Sequence, residues 1–503
     1  MRISEALQWV APIVALLQSS HASITSGTRT MASLDHNNVE IFPIPSEVLK
    51  STAFRVEVHA LGNSTRSAHV VELFQTPVHE INTTTGRTQV HQVSVGILDF
   101  DGSIKLSITP DVNTFPTINT VRVRPLSYHI NATINERTVE ITLEEPKDLM
   151  IEINGDIFNA LHLFTGSLSG VPSPAANSTL IRRYDAGFHV LNETVKVLSG
   201  ETIYLEPGAV VKGDFVFQNI SNAAIIGRGV LYQAGSILIE SSEDIRVEGV
   251  TVLNPLHYSL TLGMANNVFV SQFRSISGVK WGDGIDVFCS SNVVLEKLFM
   301  RNSDDCIALY QHRWGYIGDS HNITVRDSAL WADVAHPIHI GLHGNSVDPE
   351  TMEGVNISNI DILDHREAQI DYMGCIAINC GDENLITNVS IDNIRIEDFR
   401  MGMLFNIKVF FNAKYNTSPG RGIKNIRIKD VSYDGQGEIM SLLSGYNETR
   451  SADFIDFQGL VVNGKEIWDG MAKPGWYQTA DSLPMFVGSF VNNLTWSQGK
   501  VSE

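Results

Sequence analysis

Only four cysteines stand in 503 residues: Cys289, Cys306, Cys375 and Cys380. That is too few for a disulfide-stapled scaffold, and no spacing among them makes a zinc site. Positive charge is also scarce. Lys and Arg number 36 against 56 Asp and Glu, a formal charge of −20. Such a field repels phosphate backbones and anionic lipid at long range, so neither nucleic acid nor a membrane surface is a natural partner. Past the N-terminus no apolar run reaches the ~18 residues that a membrane-spanning helix requires. Long stretches of helical periodicity are missing too. What the chain does have is apolar content, 43% of its residues, enough for a large core built from something other than long helices.

The N-terminus reads as a secretory signal over residues 1–22. Arg2 is its positive end, Trp9–Leu17 its apolar core and Ser20-His-Ala22 a small-x-small cleavage site. Twelve Asn-x-Ser/Thr sequons follow, at Asn63, Asn82, Asn131, Asn177, Asn192, Asn219, Asn322, Asn356, Asn388, Asn416, Asn447 and Asn493. Together they imply a secreted, extracellular glycoprotein.

Residues 23–168 alternate polar and apolar side chains in short runs such as Val56-Glu-Val-His-Ala60 and Val139-Glu-Ile-Thr-Leu143. Period-two patterning between turn residues predicts strands, and an antiparallel β-sandwich is the natural way to bury them. The Pro- and Ser-rich stretch 169–179 reads as a linker.

From residue 180 to about 490 a short unit recurs. A polar residue, often Asn, precedes alternating Val and Ile, with starts at Asn222, Asp244, Asn267, Asn292, Asn322, Asn356, Asn388 and Asn425. A period in the twenties that stretches by insertion is the sign of a solenoid. Strands without helices between them select a parallel β-helix, here right-handed. The expected fold is therefore all-β: an N-terminal β-sandwich followed by a right-handed parallel β-helix. Cys289 and Cys306 are 17 apart, close to one coil, and Cys375 with Cys380 could close a short loop. Two disulfides are thus candidates, with buried free thiols as the alternative.

Within the solenoid, Trp281-Gly-Asp-Gly-Ile-Asp286 is followed by Asn302-Ser-Asp-Asp-Cys306. Asp283 and Asp304 are 21 residues apart, about one coil, which sets Asp283 and the Asp304–Asp305 pair on neighbouring rungs about 4.8 Å apart. Adjacent Asp304 and Asp305 reach one groove only if the backbone turns there. Carboxylates this close cannot all ionise freely, so one keeps its proton to higher pH. One protonated acid beside one carboxylate base is what hydrolysis of a glycosidic bond requires.

Asp-Gly-Ile-Asp followed by Asn-x-Asp-Asp-Cys-Ile-Ala resembles the family 28 glycoside hydrolases, the polygalacturonases. That resemblance implies Asp304 as general acid and Asp283 with Asp305 as the pair activating water, with inversion of configuration. Inversion implies carboxyl separations of about 6.5–9.5 Å. The family's Gly-His-Gly becomes Ala335-His336-Pro337, which makes His336 a substrate contact. Its Arg-Ile-Lys becomes Asn406-Ile-Lys408, which leaves Asn406 and Lys408 at the substrate but removes the arginine that grips a uronate carboxylate. The order of signal, sandwich, linker and β-helix is similar to family 49, the dextranases and isopullulanases. So are Leu205-Glu-Pro-Gly-Ala-Val-Val-Lys-Gly213 and Leu330-Trp-Ala-Asp-Val-Ala-His-Pro337.

Tyr310-Gln-His-Arg313-Trp314 follows the acidic pair and offers Tyr310 and Arg313 for sugar contacts. His336, His339 and His343 resemble a metal cluster, but they lack a shared strand face and a further ligand at regular spacing. No metal or cofactor is expected. The chain therefore reads as a monomeric O-glycosyl hydrolase of an α-linked polysaccharide, first a dextran-like glucan, second pectic galacturonan. A polysaccharide lyase and a non-catalytic glycan-binding protein are the rival classes.

Overall fold

A computed structural model describes residues 39–61, 68–82, 84–175, 178–233, 236–367 and 369–499. The signal segment at 1–22 and the sequons at Asn63 and Asn177 lie outside the described residues. The strands fall into two N-terminal sheets and a parallel solenoid, and no α-helix occurs among the described residues.

The sandwich begins with a six-stranded sheet that includes Leu73–Ile81, Thr88–Phe100, Asp156–Gly166, Leu149–Ile153 and Val121–Arg124. A five-stranded sheet, centred on Phe54–Ala60, Ile104–Pro110 and Thr138–Leu143, faces it. Alternation drives this packing. In Ile104–Pro110 every second residue is buried, and Val56, Val58, Ile104, Leu106 and Ile108 have no exposed surface. Each fully buried side chain of this size contributes roughly 1.5–3 kcal/mol. One pair departs from the antiparallel expectation: Asp156–Gly166 runs parallel to Thr88–Phe100.

From Ile181 to Ser497 the strands stack in parallel, coil on coil, except that Leu460–Val462 and Lys465–Ile467 pair antiparallel. The recurring polar starts mark corners. Asn222, Asp244, Asn267, Asn292, Asn322, Asn388 and Asn425 all take positive φ between 53° and 57°. Asn and Asp tolerate this left-handed conformation best among non-glycine residues. Their side chains also bond from rung to rung, Asn322 Nδ2 donating to Asn292 Oδ1 at 2.8 Å and Asn425 Nδ2 to Asn388 Oδ1 at 3.0 Å. Between corners Val and Ile alternate inward, giving one continuous core from Val197 to Trp496.

The two parts bury a second core between them, with Phe74, Val95, Phe164, Phe299 and Trp331 at its centre. Buried ion pairs cross the same boundary. Arg228 meets Asp99, Arg274 meets Asp148 at 2.7 Å, and Arg124 joins Glu152 to Glu397.

All four cysteines are buried and free, the alternative to the two candidate disulfides. The reason is register. Ile285 pairs with Ile307 and Phe288 with Tyr310, so one coil here is 22 residues, not 17. Cys289 ends its strand while Cys306 precedes the start of the next, a full strand length away. Cys375 and Cys380 sit at the two ends of the extended strand Ile376–Cys380. At roughly 3.3 Å per residue they lie far beyond the ~4.4–6.8 Å Cα separation of a disulfide. The sequon at Asn416 is also closed to modification in the folded state. Asn416 is 6% exposed, and its Nδ2 donates to Leu342 O at 2.6 Å and Asp382 Oδ2 at 3.1 Å.

Candidate active site

The acidic motifs sit where two coils turn into adjacent strands of the eleven-stranded sheet, Ile285–Phe288 and Ile307–Tyr310. Glycine makes the first turn possible. A Cβ on Gly284 would collide with the Met300 methyl and the Cys306 carbonyl, and one on Gly282 would meet Ser303 Oγ at 2.5 Å. A buried polar net fixes the second turn. Asn302 Nδ2 donates to Ser275 Oγ at 3.0 Å and Ser277 Oγ at 3.1 Å, and Ser303 N donates to Ser277 Oγ at 3.0 Å. Gly284 N then donates to Asp305 O at 2.8 Å, which locks one rung onto the next.

On this frame Asp283, Asp304 and Asp305 present carboxylate oxygens within 4.8 Å of one another. The backbone turn lets the adjacent pair share one site, as the sequence required. The spacing is tighter than the ~6.5–9.5 Å expected for inversion, because Asp283 and Asp305 lie on successive rungs.

The three carboxyls differ sharply in surroundings. Asp305 is 1% exposed, and its oxygens accept four hydrogen bonds. His336 N donates at 3.0 Å and His336 Nδ1 at 2.6 Å to Oδ1, while Tyr310 OH at 2.6 Å and His339 Nδ1 at 3.0 Å reach Oδ2. Burial alone would raise its pKa. The charge of His336 and His339 and their hydrogen bonds outweigh that and hold Asp305 well below the usual carboxylate range. His336 Nε2 faces the carbonyl of Tyr372, which can only accept. With both ring nitrogens donating, His336 is an imidazolium, and its pKa is raised because Asp305 overcomes the cost of burial.

Asp304 has little of this support. Burial, then the charges of Asp305 and Glu367, push it up to about 8. Burial followed by the charge of Asp286, Asp304 and Asp305 also raises Asp283 well above the ordinary range. Asp286 was not among the residues singled out from the sequence. It is fully buried two residues into its strand, neither of its oxygens has a hydrogen-bond partner, and its pKa is raised by burial and then by Asp305 and Asp304. Its signal was the period-two step from Asp286 to Phe288, which puts both on the outward face.

The other sequence candidates divide. Tyr310 hydrogen-bonds Asp305 and packs edge-on to His339, bracing the site from within. His336 has no exposed surface, so it holds Asp305 and does not face a substrate. Asn406 and Lys408 share a strand face, as their spacing implied, but segment 369–373 lies over them. Asn406 is fully buried and donates to Met373 O at 2.6 Å. Lys408 Nζ bonds Asp371 Oδ1 at 2.5 Å and Asp371 O at 2.9 Å. Arg313 does reach the site: its guanidinium lies 5.3 Å from the Trp314 ring centroid, and its charge acts on Tyr258, Asp286 and His343.

Asp305, His336 and His339 also bring one ligand atom each within 4.8 Å of one another. A protonated His336 cannot ligate a metal, so the set suits an ion pair better than a cation site.

The Glycosyl hydrolases family 28 profile matches residues 227–468, just under half of the chain. A probable endopolygalacturonase D of Neosartorya fischeri is 25% identical over 197 residues, 39% of this chain and 36% of that protein. A dextranase of Arthrobacter sp. is 22% identical over 275 residues, 46% of this chain and 40% of that one. The chain thus spans under half the length of these curated relatives. Among solved structures, Dex49A from Penicillium minioluteum superposes with a TM-score of 0.57 at 13% identity, covering 86% of this chain and 92% of that one. The family 28 match falls on the coils that carry the carboxylates, and the Dex49A likeness takes in sandwich and solenoid together. The chain is accordingly similar to the family 28 glycosyl hydrolases over its solenoid, and it shares the fold of Dex49A.

Proposed function

We propose that this protein hydrolyses an α-linked polysaccharide by acid/base catalysis at Asp304 and Asp305. One observation carries the reading. Two adjacent carboxyls have opposite protonation, Asp304 held up to about 8 and Asp305 held well below the usual range. At neutral pH one is an acid with a proton to give and the other a fixed anion. Asp304 protonates the leaving oxygen. Asp305, the anion, deprotonates a water that it orients together with the protonated Asp283, and that water attacks the anomeric carbon from the opposite face. Four hydrogen bonds on Asp305 hold it in place and lower its nucleophilicity. That favours water attack and inversion over a covalent glycosyl-enzyme, despite the short spacing.

A neutral, dextran-like α-glucan is the first substrate. The likeness to Dex49A supports it, and so does Lys408, whose charge is matched by Asp371 and not left for a uronate. Pectic galacturonan is second, supported by the family 28 match and the endopolygalacturonase relatives. We place the protein outside the cell as a glycoprotein, on its signal segment and the sequons that remain open.

Incubation with dextran, pullulan and polygalacturonate, with assays for new reducing ends and for ultraviolet absorbance of unsaturated products, tests this reading. Reducing ends without unsaturation support hydrolysis, and the polymer cut names the substrate. Unsaturated products from polygalacturonate would make the protein a lyase.

A further inference from the structure

A row of aromatic rings stands beside the carboxylates on the N-terminal coils, and the acid/base step does not use it. Trp281 lies two residues before Asp283, and its ring is 6.4 Å from His257. His257 is 4.0 Å from Tyr258, and Tyr258 stacks on Trp314 at 5.8 Å with planes 21° apart. Residue 258 belongs to the rung below the site: Ser259 N donates to Asp283 O at 3.0 Å. Trp314 belongs to the rung of Asp305, four residues past Tyr310. The row therefore spans three successive rungs, two of which carry the carboxylates.

The indoles at its two ends face solvent. Trp281 is 54% and Trp314 56% exposed, whereas Tyr258 between them is 7% exposed. Exposed tryptophan on an acidic, extended surface is costly unless something covers it. Both indoles are held in orientation, not left to turn in water. Lys280 Nζ sits 3.9 Å from the Trp281 ring centroid, and the Arg313 guanidinium 5.3 Å from that of Trp314. Trp314 itself stacks on Tyr258, which ties the loop after Tyr310 to the coil of Ser259.

Fixed, flat, apolar faces next to a glycosidic-bond site match the C–H face of a pyranose ring, and the nearby hydroxyls of such a ring suit Lys280 and Arg313. We infer that Trp281 and Trp314, the latter backed by Tyr258, form a stacking subsite for hexopyranose rings of the polysaccharide adjoining the bond that is cut. The inference rests on the proposed hydrolase reading and adds where the chain lies and what grips it. Glucan and galacturonan share this ring chemistry, and the polymers tested separate them.

The test is affinity electrophoresis through gels containing dextran, pullulan or polygalacturonate. Proteins run are Asp304→Asn alone and Asp304→Asn combined with Trp281→Ala, Trp281→Phe, Trp314→Ala or Trp314→Phe, each with a melting curve to confirm folding. Wild-type hydrolysis of the same polymers is measured alongside. The expected result is retardation of Asp304→Asn on at least one polymer, weakened tenfold or more by either alanine and largely restored by phenylalanine. Equal retardation of the alanine variants overturns the subsite, and so does an Asp304→Asn protein that no polymer retards. Wild type that cuts nothing, in a protein whose retardation still depends on both tryptophans, would sink the hydrolase reading and leave the subsite standing.

Discussion

Asp305 Oδ1 lies 2.6 Å from His336 Nδ1, the two side chains buried on successive coils as a carboxylate and an imidazolium. A charge pair without solvent keeps Asp305 ionised at pH values where a free aspartic acid would be protonated. His336→Ala removes the cation and its Nδ1–H donor, leaving only the backbone N–H at that position. The Asp305 pKa then rises, and the acid limb of kcat/KM against pH moves upward. The expected loss is about 10²-fold at mildly acidic pH, in line with a misplaced acid/base group. An unchanged acid limb would show that His336 only packs.

The alkaline limb belongs to Asp304. An acid with a pKa of about 8 is protonated below that pH and loses its proton above it, so activity falls as pH rises through 8. Burial is the first cause, followed by the charges of Asp305 and Glu367. Glu367→Gln removes one of those charges and should move the limb to lower pH. The measurement is kcat against pH for both proteins.

Stability should follow the same groups. Asp283, Asp286 and Asp304 have folded pKa values raised above their unfolded values, so the folded state holds their protons more tightly. Their contribution is full below about pH 4 and is lost as pH climbs through the raised values. Asp305 works in the other sense, contributing above about pH 4 and losing that as pH falls through its depressed value. Melting temperature should therefore be higher at pH 5 than at pH 8. Asp286→Asn replaces a buried carboxyl that has no partners with an amide that never ionises. It should raise the melting temperature at pH 8 more than at pH 5, because the ionised unfolded state gains on the protonated folded state with every step of pH above about 4.

The contact between sandwich and solenoid depends on buried charge as well as apolar area. Arg228 and Asp99 are both essentially buried, and the Arg228 Nε donates to both Asp99 oxygens at 3.0 Å. Asp99→Ala strands the guanidinium and should cost about 3–5 kcal/mol. Chemical denaturation checks this, and Asp99→Asn should recover part of the loss.

Inversion has its own readout. Proton NMR of the first products from an α-linked polymer should show the β anomer before mutarotation. The α anomer first would mean that the short carboxyl spacing reports a covalent intermediate and that Asp283 or Asp305 is the nucleophile.

The solenoid was legible because its signal is local: an Asn that takes positive φ, then Val and Ile in alternation, coil after coil. The acidic turns were legible because Gly282, Gly284 and the adjacent Asp304–Asp305 pair leave the backbone few alternatives. What was not legible depended on distant segments. His336, Asn406 and Lys408 stood at the expected rungs, yet the short segment 369–373 folds across them and pairs Lys408 with Asp371. The disulfide pairs failed because coil length varies, and only the register shows that Cys289 and Cys306 lie at opposite strand ends. The aromatic row was hidden for the same reason, since Tyr258 and Trp314 are 56 residues apart in sequence yet their rings stack across two coils.

The central claim is that Asp304 supplies the proton. The direct measurement is the rate of reducing-end release by wild type and by Asp304→Asn on the polymer that wild type cuts best, at pH 5. Loss of about 10³-fold or more, with the melting temperature retained and polymer binding intact, is the expected result. An Asp304→Asn protein within tenfold of wild type would contradict the account and move the acid to another carboxyl.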